Sequence, residues 1–353
     1  MASLYTAWPR RTAPRTRAMT THQLQTIIDL IRYGASRFNA AGLTFGHSYD
    51  NALDEATQLT LHALHLPHDL SPVYGQARVT EAEKEDVLGL FIRRIEERMP
   101  AAYLCGEAWF AGLSFKSDPR ALVPRSPIAE LIESGFEPWL AGRDVRRALD
   151  LCTGSGCIAI AMAHWNPDWH VDGVDPSDDA LALARENERR LDVHNTRFLR
   201  SDLFSALQGE HYDLIVSNPP YVTNDETDAL PREYSYEPEM GLRAGDDGLD
   251  LVLGILRDAP LHLSDDGLLI CEVGEAERAL SRLLPELPLM WVEFKVGQMG
   301  VFVAERHDLV THNARIAQLA AERGRGTARS APVARAASHA PQPASGADPD
   351  SLF

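Results

Sequence analysis

Asp213-Leu-Ile-Val-Ser-Asn218-Pro219-Pro220-Tyr221 is the stretch from which the rest of the chain is read. Tyr212 to Ser217 is an apolar run long enough for one buried parallel strand and too short for a helix. Pro219 and Pro220 end it, because neither can donate to a ladder and each restricts the residue before it to extended geometry. A stiff loop therefore follows the carboxyl end of a strand, where open α/β sheets bind ligands. Asn218 offers a carbonyl acceptor and an NH2 donor, and the Pro219 carbonyl is fixed beside it. Tyr221 adds a flat apolar wall with a polar tip. Such a loop fits a planar group with two N–H donors, a primary amide or an exocyclic amine, held by the Asn218 side chain and the Pro219 carbonyl. The competing reading is a plain proline-rich turn.

What separates the two lies upstream, in Ala148-Leu-Asp150-Leu-Cys152-Thr153-Gly154-Ser155-Gly156-Cys157. Apolar residues rise into Asp150, small residues make a turn, and Ile158 and Ile160 begin a helix. Gly154 and Gly156 let backbone approach a ligand near a helix N-terminus. The pattern lacks the three framing glycines of a dinucleotide loop. Asp150 beside the turn is expected to disfavour a pyrophosphate and to suit a cationic or amine-bearing ligand. The next strand, His170 to Asp175, ends in an acid near the interval at which a carboxylate grips ribose hydroxyls. A third strand, Thr196 to Arg200, leads to Asp202 and Leu203, which suit an adenine amine and ring. Acids at successive strand ends make a mononucleotide-like ligand the expectation, meeting the Asn218 loop on the fourth strand.

The remaining chain supplies the frame. Residues 1–19, with Arg10, Arg11, Arg15 and Arg17 and no acids, read as a disordered leader, Met19 being an alternative start. Residues 20–100 read as a small all-helical domain: Thr21 is the expected cap of a helix carrying Leu24, Ile27 and Ile31, a second helix runs from Asn51 to Leu66, and Thr80-Glu-Ala-Glu83 is a capping box. His62, His65 and His68 are spaced for a metal, but Pro67 ends the helix before His68, so they read as solvated or packed. Residues 101–140 read as a connector with strand-like pieces at 108–111, 113–116 and 121–127, then a helix from Ile128 to Leu140. Arg125, between two prolines, reads equally as a rigidly placed cation and as a surface arginine. Val222 to Gly248, with Tyr234 and Glu237, is too long to be idle in a compact domain and reads as a substrate-facing lid. A helix from Asp250 to Leu263, a fifth strand at Leu268–Glu272 and an antiparallel pair at 290–294 and 299–303 complete the sheet. Residues 324–353 read as a disordered tail.

Composition bounds the function. The formal net charge of −17 is ill suited to a phosphate backbone and suits a basic partner. Cys105, Cys152, Cys157 and Cys271 show no Cys-x-x-Cys spacing, which argues against a zinc site or disulfide scaffold and fits a reducing cytosol, so a cytoplasmic setting is expected. No apolar run reaches the length of a membrane span, so no membrane partner is expected.

Asp150-Leu-Cys-Thr-Gly-Ser-Gly156, Val174-Asp175, Ser201-Asp202 and Asn218-Pro-Pro-Tyr221, in this order, resemble a class I S-adenosylmethionine-dependent methyltransferase. With the helical N-terminal domain and Leu122-Val-Pro-Arg-Ser-Pro127, residues 20–310 resemble the HemK/PrmB/PrmC group, which methylates protein glutamine side chains. The resemblance implies an α/β fold, a Rossmann-like seven-stranded methyltransferase sheet over 141–310 with the helical domain as substrate recogniser. It implies S-adenosyl-L-methionine as cofactor and no metal. The cofactor would be held by Asp150, Cys152, Thr153, Gly154, Gly156, Asp175, Asp202, Leu203 and Asn218. Asn218, Pro219, Pro220 and Tyr221 would bind and align the glutamine amide, with Arg125 and Glu237 on the substrate side. Pro124-Arg-Ser-Pro-Ile-Ala-Glu130 and Leu230 to Leu242 resemble the branch acting on large-subunit ribosomal protein L3. The release-factor branch tends to have a different proline-rich connector and Gly where Cys152 stands. Release factor is therefore the alternative acceptor within the group. Amino-group methylation of nucleic acid shares the Asn218 loop but wants a basic groove, which the sequence lacks.

Overall fold

The computed structural model describes residues 21–47, 49–295 and 300–327. Among them the chain runs α1 (Ile27–Ala40), α2 (Ala52–Ala63), α3 (Glu81–Glu97), α4 (Ala101–Cys105), β1 (Glu107–Phe110), β2 (Leu113–Lys116), α5 (Ile128–Glu133), β3 (Arg147–Leu151), α6 (Cys157–Trp165), β4 (His170–Asp175), α7 (Asp178–Arg190), β5 (Thr196–Arg200), β6 (Tyr212–Ser217), α8 (Asn224–Ala229), α9 (Asp250–Asp258), β7 (Leu263–Glu272), α10 (Glu277–Leu283), β8 (Met290–Trp291), β9 (Val301–Glu305) and α11 (Arg306–Thr327). The expected leader and the bulk of the expected tail lie outside the described residues.

The helical domain is built on well-capped helices. Thr26 and Asp29 cap α1, Asn51 accepts from the N–H groups of Leu53 and Asp54, and Thr80 and Glu83 form the expected box on α3. Leu30, Phe38, Leu59, Val87 and Phe91 meet in its core, where Phe38 and Phe91 pack edge to face at 5.2 Å. Thr21, the expected cap, instead opens a short 3-10 turn, because the box residue three places on is Asp29, which matches Thr26.

Seven described strands form one sheet in the order β5-β4-β3-β6-β7-β9-β8. The first five are mutually parallel, and β9 runs antiparallel to β7 and β8. Side chains alternate along each strand. Ala148, Leu214, Val216 and Ile270 face Ile158, Met162 and Ile132, while Leu149, Leu151, Ile215 and Leu269 face Val252, Leu256 and Ile316. Strands apolar on both faces, covered by helices on each, are what a parallel sheet requires. The expected fold class is the one observed.

Several boundaries differ from the sequence reading. The helix from Asp250 stops at Asp258, ahead of Pro260, so Leu263 opens β7 instead of closing that helix, and β8 covers only Met290–Trp291 of the expected 290–294. The segment 121–127 is not a strand: its prolines bar a ladder, and the Val123 N–H is spent on the Glu237 carboxylate. The helix from Ile128 stops at Glu133, because Gly135 takes a left-handed φ of +66°. Helix α11 runs through Thr327, so the stretch from 324 that reads as tail begins inside a helix. Its apolar stripe is thin, Leu309, Ile316 and Leu319, yet all three are buried against the α9 face of the sheet. Each such burial contributes about 2 kcal/mol. Residues 110–140 also share a core with the sheet, through Phe110, Phe115, Ile128 and Phe136.

Candidate active site

Strand β3 lies between β4 on one side and β6 on the other, so the chain reverses its direction of winding there. Ligands of open sheets sit outside the carboxyl ends of strands at that point. A cavity of about 640 Å³ occupies it, a volume suited to a nucleoside-sized ligand with a small acceptor group.

One side of the cavity is the loop between β3 and α6. Cys152 and Gly154 are left-handed, at φ 60° and 54°, and both line the cavity with Thr153. The left-handed form is strained for a cysteine and would be free of strain for a glycine. Gly156 is required for packing: a Cβ there would lie 2.9 Å from the Ala184 Cβ on α7, at φ +80°. Asp150 is wholly buried beneath the loop, not in the cavity wall. Its Oδ2 accepts from the Thr153 hydroxyl at 2.6 Å and from the Ala159 N–H at 3.0 Å. It thereby caps α6, whose own N-cap, Gly156, has no side chain to do so. Burial pushes its pKa up to about 7, so it is not the ligand-facing anion that its position in the sequence suggests.

The cavity-facing acids follow the next two strands. Asp175 ends β4, accepts from the N–H groups of Gly154 at 3.0 Å and Ser177 at 2.9 Å, and lines the cavity. Burial raises its pKa, and those two backbone bonds pull it down. Asp202 is exposed at the rim, with Leu203 beside it in the wall. Among the described residues the Asp202 carboxylate has no hydrogen-bond partner.

Facing them is the Asn218 loop. Asn218, Pro219, Pro220 and Tyr221 all line the cavity. Among the described residues neither the Asn218 amide nor the Pro219 carbonyl has a hydrogen-bond partner, so two adjacent polar groups remain free. Tyr221 is locked: its hydroxyl donates to Glu272 Oε1 at 2.8 Å. The ring has room only because residue 274 is glycine, where a Cβ would sit 2.5 Å from it.

The remaining wall comes from the connector and from residues 230–242, within the segment read as a lid. Arg125 lines the cavity and donates from Nη1 and Nη2 to the two Glu237 carboxylate oxygens, at 2.5 and 2.8 Å, with its guanidinium carbon 5.7 Å from the centre of the Tyr234 ring. Glu237 is 5% exposed and absent from the wall, so it reaches the cavity only through Arg125. The lid is bound to the helical domain as well. Glu233 accepts from the Thr44 N–H at 3.0 Å and from Arg98 at 3.2 Å, Tyr236 donates to the Glu97 carbonyl at 2.5 Å, and the His47 ring packs against Tyr234 at 4.2 Å, tilted by 42°. Burial pushes the His47 pKa down to about 4, so that ring is neutral at physiological pH. Removing one partner of a buried pair costs more than the pair contributes. Glu237→Ala is expected to destabilise the fold by about 3 kcal/mol, at the lower end of the usual range because Arg125 keeps an edge in solvent. Urea unfolding measures this, and an unchanged midpoint would mean that the pair is not formed.

Cys152, Thr153, Gly154, Asp175, Asp202 and Leu203 thus come together with Asn218, Pro219, Pro220, Tyr221 and Arg125 around one space. Asp150, Gly156 and Glu237 support that space from behind it. The sequence reading gave no role to Ser126 or Glu272, which also line the cavity. An acid at the end of a further parallel strand, Cys271-Glu272-Val-Gly274, is the signal that would have found Glu272. His68, from the histidine series, stacks on Trp109.

A family described as "Methyltransferase small domain" matches residues 138–232, which hold the loop after β3 and the Asn218 loop. A "Ribosomal protein uL3 glutamine methyltransferase" from Xanthomonas campestris pv. campestris is 76% identical over 306 residues, 87% of this chain and 99% of that protein. One of the same description from Xylella fastidiosa (strain Temecula1) is 72% identical over 85% of this chain and 96% of that protein. A solved methyltransferase from Pyrococcus furiosus aligns at 20% identity with a TM-score of 0.40, over 55% of this chain and 89% of that one.

Proposed function

The chain belongs to the family of ribosomal protein uL3 glutamine methyltransferases, and we propose that it transfers a methyl group to the side-chain amide nitrogen of a glutamine in that ribosomal protein, with the Asn218 loop as the amide site. The observation that carries this is the pair of free polar groups, the Asn218 amide and the Pro219 carbonyl, side by side in the cavity wall. A primary amide has two N–H donors and needs two acceptors.

S-adenosyl-L-methionine is the methyl donor, and when bound it supplies an electrophilic methyl on a sulfonium sulfur. The donor set fits it. Asp175 has lone pairs left for ribose hydroxyls after its two backbone bonds. Asp202 and Leu203 suit the adenine amine and ring, and the loop at Cys152–Gly154 borders the space for the methionine portion. Asp150 and Gly156 act through that loop by holding it and α6 in place.

The protein's task follows from amide chemistry. An amide nitrogen is a poor nucleophile because its lone pair is delocalised, and its proton is too weakly acidic to be removed first. Asn218 Oδ1 and the Pro219 carbonyl accept the two N–H bonds, raise electron density on nitrogen and aim it at the methyl group; the amide proton displaced by methylation leaves to water, with the donor left as a neutral thioether. Tyr221 closes one side of the slot. Arg125, held by Glu237, forms the substrate-side wall, and the helical domain recognises the acceptor while bracing the lid. A ribosomal protein, basic as its RNA-binding role requires, suits an enzyme of net charge −17, and methylation before or during assembly leaves the glutamine accessible. Among the described residues no helix is long and apolar enough to cross a membrane, and a cytoplasmic setting fits this substrate.

The test is transfer of labelled methyl to purified uL3, assembled subunits, release factor and rRNA. Label on uL3, lost in Asn218→Ala, is the expected result. Label on release factor alone would move the protein to the sister branch, and label on RNA alone would overturn the amide site.

A further inference from the structure

Glu272 ends β7 in the cavity wall and is 5% exposed. Its two oxygens are taken by donors from two distant segments. Oε1 accepts from the Tyr221 hydroxyl at 2.8 Å, and Oε2 accepts from the Ser126 hydroxyl at 2.5 Å. Ser126 in turn accepts from the Ile128 N–H at 3.2 Å, the first residue of α5. Glu272 therefore joins the amide-binding loop to the connector that carries Arg125.

We propose that Glu272 is a positioning residue for methyl transfer: as an anion it holds the Tyr221 ring in place beside the Asn218 slot through the Tyr221 hydroxyl, and Ser126 holds Glu272 in turn. This rests on the reading of Asn218 as the amide site. As a carboxylate Glu272 accepts both hydroxyl bonds with full charge on its oxygens; once protonated it keeps one neutral carbonyl acceptor and presents an O–H from the other oxygen, so both bonds lose their charged character and the one on the protonated oxygen must reverse or break. With its bond to Glu272 weakened or lost, the Tyr221 ring is held mainly by packing, and the amide slot loosens. Small losses of alignment at a reacting nitrogen are costly in rate.

The groups around Glu272 set where this happens. Arg125 and Ser126 face it from the connector, Tyr221 from the loop after β6, and Cys271 precedes it on its own strand, while its partner across the ladder on β9 is the apolar Val301. Burial raises its pKa; Ser126, Tyr221 and Arg125 lower it in that order. The carboxylate is thus ionised above its raised pKa and lost as pH falls through it, earlier than for an ordinary glutamate.

The experiment is the pH profile of kcat for the wild type, Glu272→Gln, Ser126→Ala and Tyr221→Phe, with S-adenosylmethionine and uL3, and thermal unfolding of each. Glutamine keeps the shape but offers one acceptor and one donor, so it mimics the protonated state at every pH. Glu272→Gln is expected to lower kcat on the plateau by about ten- to a hundredfold, from the strength of a charged hydrogen bond, with the KM for S-adenosylmethionine nearly unchanged. Its acid limb should vanish. Ser126→Ala removes a bond that lowers the Glu272 pKa, so its acid limb should move to higher pH, which tests the proposal even where Glu272→Gln folds poorly. Glu272→Gln combined with Tyr221→Phe should be little worse than Tyr221→Phe alone, since the two act as one unit. A Glu272→Gln enzyme with the wild-type plateau and acid limb, or an unmoved limb in Ser126→Ala, would overturn the role. If the wild type labels another glutamine-bearing acceptor and not uL3, the substrate reading fails, and Glu272 is judged by the same profiles on that acceptor.

Discussion

Asn218→Ala is expected to lower kcat for methyl transfer by about a hundred- to a thousandfold, the usual cost of removing one preorganised polar group from the reacting centre. Nothing nearby can replace it. Pro219 and Pro220 have no N–H groups, the Pro219 carbonyl is the other acceptor of the pair, and the Tyr221 hydroxyl is committed to Glu272. The loop should survive the change, because the Asn218 amide makes no hydrogen bond to the described residues that its loss would break. S-adenosylmethionine binding should therefore fall far less than kcat, and the melting temperature should hardly move. Single-turnover kinetics with calorimetric titration separate these quantities. An equal loss in binding and in rate would assign Asn218 to the cofactor instead.

Asp175→Ala has the opposite signature. Its carboxylate holds the Gly154 and Ser177 N–H groups and stands half-buried in the cavity wall at the end of β4. Removing it frees the glycine loop and deletes the expected partner of the ribose hydroxyls. Loss of charged hydrogen bonds of this kind corresponds to about a hundredfold weaker S-adenosylmethionine binding. The rate at saturating cofactor should be much less affected. The pH dependence carries a sign. Burial raises the Asp175 pKa, so its acceptor state is complete above that raised value and is lost as pH falls through it. Wild-type cofactor affinity should thus weaken on acidification before ordinary carboxylates titrate, and the Asp175→Ala enzyme should lack that dependence. Isothermal titration across pH measures both.

How far the sequence reveals this arrangement depends on the range of the interaction involved. The strand into Asn218 and the turn at Pro219-Pro220 are local, and so are the capping box at Thr80 and the glycine turn after Asp150. Each is written within a few residues, and each is found where its pattern places it. The succession of acids at Asp175 and Asp202 is legible because the topology of a parallel sheet brings successive strand ends to one edge. Burial is less legible. Asp150 and Asp175 look alike in sequence, yet one caps a helix from beneath the loop and the other lines the cavity. Pairing across long separations is not legible at all. Arg125 meets Glu237 across 112 residues, and Ser126 meets Glu272 across 146. Helix α11 is hidden for a different reason: three apolar residues among many small and charged ones look like solvated chain until the α9 face they cover is known.

If the Asn218 cavity methylates a glutamine side-chain nitrogen, the mark is readable on the acceptor itself. Tandem mass spectrometry of uL3 after incubation with the enzyme and S-adenosylmethionine should show a single added methyl group on a glutamine amide nitrogen, absent when Asn218→Ala is used. A methyl group on lysine, arginine or the peptide backbone, or on the same glutamine with Asn218→Ala at the wild-type rate, would contradict it.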